Sequence, residues 1–111
     1  MGKDPTVEIN VDPLQRHAVP FVALIIVEGA PTGAEVIATL EQTRGRPSLW
    51  GPESKAKRAG DTGNLVFDFD VVMQGPADTE LKAIVVDDKG TNYPPAFSQV
   101  EVLAPPPPED L

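Results

Sequence analysis

Residues 64–72 are Asn64-Leu65-Val66-Phe67-Asp68-Phe69-Asp70-Val71-Val72, and this stretch decides the class of the fold. Leu65, Phe67, Phe69 and Val71 alternate with Asn64, Val66, Asp68, Asp70 and Val72. One register is wholly apolar; the other carries two aspartates. A period of two, introduced by Asp61-Thr62-Gly63, is the pattern of a strand with one dry face and one wet face. The strand therefore belongs to a sheet packed on something apolar. That is a statement about geometry, and it leaves the activity open.

The chain has 13 prolines and 9 glycines, too many for a helical protein, and most of them fall between apolar runs. Proline cannot donate to a sheet ladder and glycine supplies turn dihedrals, so these residues mark joints between strands. The expected strands are 7–11, 21–27, 35–40, 64–72, 79–87 and 97–102, with a seventh piece around 54–59 or near Trp50. Residues 33–43 contain good helix formers. Val36, Ala38 and Leu40 nevertheless alternate with Glu35, Thr39 and Glu41, which fits a strand better; strand and helix both remain open for 35–43. Short strands separated by turn signals predict an all-β chain folded as an antiparallel β-sandwich of two sheets.

The expected inward residues are Val7, Ile9 and Val11; Val22, Leu24 and Ile26; Val36, Ala38 and Leu40; Leu65, Phe67, Phe69 and Val71; Leu81, Ala83 and Val85; and Val100 and Val102. Both registers of 21–27 are apolar. A central strand covered on both sides has that pattern, and so does a strand whose outer face is an interface. Truncating Phe67 or Phe69 to Ala should cost roughly 3–5 kcal/mol.

A length of 111 residues suits one domain, enough to bury roughly two thirds of the unfolded surface. The absence of cysteine removes disulfides, thiolate metal sites and cysteine nucleophiles. The longest apolar run, 19–27, is broken by Pro20 and falls short of the ~20 residues that span a bilayer, so no membrane insertion is expected. Mixed charge before it and no small-residue cleavage site make it a core strand and not a signal segment. A net charge of −8 argues against nucleic-acid binding. Residues 1–5 are expected to be a flexible N-terminus, 6–103 the sandwich, and 104–111 a Pro-rich tail or linker whose Pro105–Pro108 run favours polyproline II.

Gly63-Asn64-Leu65-Val66-Phe67-Asp68-Phe69, followed by Thr79-Glu80-Leu81-Lys82-Ala83-Ile84-Val85-Val86-Asp87-Asp88-Lys89-Gly90, resembles the E and F strands of bacterial and phage immunoglobulin-like domains. Phe97-Ser98-Gln99-Val100-Glu101-Val102-Leu103 is similar to their last strand. The resemblance covers 6–103 in architecture and 63–90 in detail. It implies an immunoglobulin-like antiparallel β-sandwich of about seven strands. The absence of a cross-sheet cysteine pair is usual in the bacterial relatives, and Trp50 sits in a Pro- and Gly-rich loop, away from the third strand. The role implied is a stalk, spacer or accessory module of a surface assembly, or an ornament on a virion or tail.

Chemistry is sparse. His17 is the single histidine and stands beside Arg16 with no Ser or Asp motif, as a solvated loop residue would. Asp68 and Asp70 share the outward face of their strand, where they solvate the sheet and discourage edge pairing. Asp87-Asp88-Lys89-Gly90-Thr91-Asn92 places oxygens in a tight turn, so Asp87, Asp88 and Asn92 are the candidate ligands for Ca2+, with Asp61 and Asp12 expected at the same end. The same residues also suit a plain hairpin turn. Arg44, Arg46, Lys55, Lys57 and Arg58 are five of the nine basic residues, with Leu49 and Trp50 among them. They form either a solvated edge protected by lysine or a recognition loop for a protein partner or an anionic glycan.

No residue set supports catalysis, and no cofactor other than Ca2+ is indicated. The expected role is a non-catalytic structural or accessory interaction module of a surface or virion assembly, binding other protein subunits or a neighbouring domain. The alternative is a carbohydrate- or calcium-binding accessory module of a larger exported protein, using Trp50 with Tyr93. An extracellular, cell-surface or virion location is expected ahead of a cytoplasmic one.

Overall fold

A computed structural model describes residues 4–46 and 53–105. Its elements are all strands: β1 (Thr6–Asn10), β2 (Leu14–Arg16), β3 (Phe21–Glu28), β4 (Glu35–Arg44), β5 (Glu53–Arg58), β6 (Leu65–Val71), β7 (Ala77–Asp87) and β8 (Ala96–Leu103). They form two sheets, one ordered β1-β3-β6 and the other β2-β8-β7-β4-β5. The protein is an immunoglobulin-like β-sandwich, with β6 in the smaller sheet and β7 in the larger.

Strict alternation builds the core. In β6, Leu65, Phe67, Phe69 and Val71 are buried and the residues between them are exposed. Val36, Ala38 and Leu40, Leu81, Ala83 and Val85, and Val100 and Val102 meet them from the opposite sheet. Val7, Ile9 and Val11 pack on this core while staying partly exposed. Residues 35–44 are strand, since Val36, Ala38 and Leu40 share one face only at a period of two.

Two expectations are corrected, and one strand is added. The inward residues of β3 are Ala23, Ile25 and Val27, and Val22 is 52% exposed. The reason is pairing: Ile25 lies opposite Phe67 and Ala23 opposite Phe69, and directly opposed residues share a face. Leu14–Arg16 adds a short strand parallel to β8, so the expected strands, about seven, number eight among the described residues. The chain thus crosses from the edge of one sheet to the edge of the other between β1 and β2. Finally, Asp12 follows β1 and lies toward the opposite end of the sandwich from Asp87, while Asp61 shares the Asp87 end.

Gly63 enters β6 at φ +71°, and its carbonyl accepts from Ala30 N–H at 3.1 Å. A Cβ there would sit 2.6 Å from the Ala30 carbonyl oxygen, so glycine is required for both conformation and space.

Candidate interaction surfaces

The basic residues between 44 and 58 come from the β4–β5 hairpin, and the structure distributes them to three places. Arg44, at the end of β4, donates to Gln99 Oε1; Gln99 in turn donates to Glu80, whose other oxygen accepts from Thr43 Oγ1 at 2.7 Å. Arg46 is exposed nearby, its carbonyl accepting from the Gln42 amide. Arg58 lies at the opposite end, 3.4 Å from Glu35 and donating to the Gly33 carbonyl.

Lys55 and Lys57 turn inward because they oppose Ala38 and Val36, which face the core. Their ammonium groups stand 5.4 Å and 5.7 Å from the ring centres of Phe69 and Phe67. The Lys57 ammonium also donates to the Val66 carbonyl. These lysines roof the open flank where the edge strands β5 and β6 meet. Leu49 and Trp50 lie outside the described residues.

The acidic turn is organised around its own donors. Asp87 Oδ1 accepts the N–H groups of Lys89 and Thr91, and Oδ2 accepts the Tyr93 hydroxyl at 2.8 Å. Burial pushes the Asp87 carboxyl up, but the hydrogen bonds from Thr91, Tyr93 and Lys89 outweigh it, and its pKa falls from 3.8 to about 2. Burial and the adjacent Asp87 carboxylate together push the Tyr93 hydroxyl up. Asp88 accepts from Glu35 N–H, and Asn92 is exposed. Among the described residues, no three Asp, Glu or His side chains cluster as a metal site would require. Tyr93 itself is 6% exposed, so its ring offers no stacking platform to a sugar.

His17 is half-buried just after β2, and its Nδ1 accepts from Gly75 N–H at 3.0 Å. This corrects the solvated-loop expectation. The imidazole ties the β2–β3 connection to the turn before β7.

Apolar residues in the outward registers form surfaces on both sheets; the two apolar registers of 21–27 pointed to the one along β3, and the one on the five-stranded sheet was not expected. On the five-stranded sheet, Ile37 lies opposite both Ala56 and Val86, and Thr39 lies opposite Ile84. Phe97, at 56% exposure the most open large apolar side chain here, lies opposite Lys82, whose ammonium is 5.7 Å from its ring. On the three-stranded sheet, Val22, Leu24, Ile26 and Val66 share the outer face. The available signal was apolar side chains in both registers of β3 and β7. One cleft lies between Pro76–Asp78 and Glu101–Ala104, and another is lined by Asp4, Pro5, Thr91, Asn92 and Pro94.

Neither a protein-family model nor a curated protein matches the sequence. Among solved structures, the chain is similar to the CARDB domain of a Pyrococcus furiosus protein, crystallised in complex with di-metal ions. The two share 14% identity over 92% of this chain and 90% of that one, with a TM-score of 0.67. At that identity the likeness establishes the fold.

Proposed function

We propose that this chain is a non-catalytic accessory module of a larger surface or virion assembly, attached by protein–protein contact through the outer face of its five-stranded sheet. The observation that carries this reading is the apolar band of Ile37, Val86 and Phe97, left 36%, 51% and 56% exposed, with half-buried Ile84 bridging Val86 to Phe97 on the same sheet face. Contiguous apolar area of this kind, rimmed by polar groups, marks interaction sites on soluble domains. The rim here is mixed: Glu35 with Arg58 at one end, and Arg44, Gln99 and Glu80 at the other. The non-catalytic part rests on the single imidazole, whose Nδ1 is occupied by Gly75 N–H. Arg44 and Arg46 stand at the same sheet end and belong to the recognition surface in this reading.

The test uses the tagged chain isolated with its assembly from the source. Val86→Glu with Phe97→Glu should abolish co-purification of the partner while the melting temperature stays within a few degrees of the parent. Unchanged co-purification discards the reading. If the melting temperature also rises with calcium or a polysaccharide, the module is instead a calcium- or carbohydrate-binding one, as the neighbour's di-metal ions would then parallel.

A further inference from the structure

We infer that the outer face of the three-stranded sheet is a second docking surface, specific for a protein surface whose apolar strip is bordered by lysine or arginine. The face has an apolar ridge along β3, with Val22 52% exposed, Leu24 and Ile26 half-buried, and Val66 of β6 45% exposed. Each β3 residue of the ridge is paired across the sheet with a carboxylate-bearing residue. Asp70 lies opposite Val22, Asp68 opposite Leu24, and Glu8 opposite Ile26.

Nothing in this sheet balances those charges. No residue of β1, β3 or β6 is lysine, arginine or histidine. The Lys57 ammonium reaches the border from β5, and there it donates to the Val66 carbonyl and not to a carboxylate. Asp68 and Asp70 stand two residues apart on one strand face, so their negative charges add along one border of the ridge.

A face that is apolar along its centre and uniformly anionic at its sides selects its occupant by sign. Anionic lipid and nucleic acid are repelled. A second copy presenting the same face is repelled too, and the five-stranded face of a copy has the mixed rim described above. What fits is a protein surface that covers the ridge with aliphatic side chains and brings cations to Glu8, Asp68 and Asp70. This surface lies on the other side of the sandwich from the Ile37–Phe97 band, so its test is independent of that proposal.

The probe is a synthetic peptide of alternating valine and lysine, with a valine–glutamate peptide as control. Backbone amide shifts are followed by nuclear magnetic resonance at low and high salt. The expected result is perturbation centred on Val22, Leu24, Ile26 and Val66 with the lysine peptide alone, weakening as salt rises. Asp68→Asn with Asp70→Asn should weaken binding about tenfold, whereas Asp78→Asn with Glu101→Gln, which removes the same charge from the other sheet, should leave it unchanged. The inference fails if both double variants weaken binding equally, if the glutamate peptide binds as well, if the perturbation maps elsewhere, or if the face proves to pair two copies of the chain.

Discussion

The Tyr93 hydroxyl donates to Asp87 at 2.8 Å, fastening the β7–β8 connection to the last residue of β7. With the N–H groups of Lys89 and Thr91 on the other carboxylate oxygen, Asp87 acts as the hub of a closed turn. An aspartate that looks like a metal ligand in sequence is thereby committed to three donors of its own chain. The arrangement makes the turn sensitive to acid.

Tyr93→Phe should lower stability by about 1–2 kcal/mol at pH 7, since a bond to a half-buried carboxylate is lost. The folded pKa of Asp87, about 2, lies below its ordinary 3.8. The stabilisation is therefore fully present above about pH 4 and disappears as pH falls toward 2. Urea denaturation of the parent and of Tyr93→Phe at pH 7, 4 and 2.5 should show their difference shrinking with acidity. A difference independent of pH contradicts the assignment.

Lys55 and Lys57 guard the flank between the two edge strands. Replacing both by Ala should cost about 1–2 kcal/mol, because each cation lies over a core phenylalanine ring and each stem covers apolar surface. Replacing both by Met keeps the stems and should preserve the melting temperature, yet it removes the inward-pointing charges that keep other strands from this edge. Light scattering should then detect association of the Met variant at concentrations where the parent is monodisperse. A Met variant that scatters no more than the parent refutes the guarding role.

Gly63 and Gly90 separate conformational strain from steric exclusion. Both have positive φ, +71° and +73°, but a Cβ at Gly63 meets the Ala30 carbonyl oxygen at 2.6 Å and one at Gly90 meets nothing within 4 Å. Gly90→Ala should cost about 1–2 kcal/mol from the left-handed conformation alone. Gly63→Ala should cost at least about 1 kcal/mol more, because the Ala30–Gly63 backbone contact must open, and the gap would lower the melting temperature by a further ~4–8 °C. Thermal melts of the two variants provide the comparison, and equal shifts would exclude the steric contribution.

How far the molecule was legible in advance depended on the range of the interactions involved. Alternation within each segment identified the buried faces of β6, β4, β7 and β8, because a strand's period of two is imposed by its own backbone. The same logic found the break at Gly63. It also exposed apolar side chains in the outer registers, although their meaning as surfaces required knowing that among the described residues no third layer covers them. The cluster between Arg44 and Arg58 looked continuous because its members are close in sequence. In the hairpin, alternation sends Lys55 and Lys57 inward while Arg58 and Arg44 go to opposite ends.

The amino-acid sequence by itself determined the all-β class, the joints at glycine and proline, and the dry face of every strand whose two registers differ in polarity. Only the tertiary structure decided the facing of β3, the existence of β2 and the separation of Asp12 from Asp87. The physical reason is that β3 is apolar in both registers, so its orientation is set by the ladder that places Ile25 against Phe67. Likewise, Leu14–Arg16 carries no strand signal of its own and becomes a strand only by pairing with β8 near the far end of the chain.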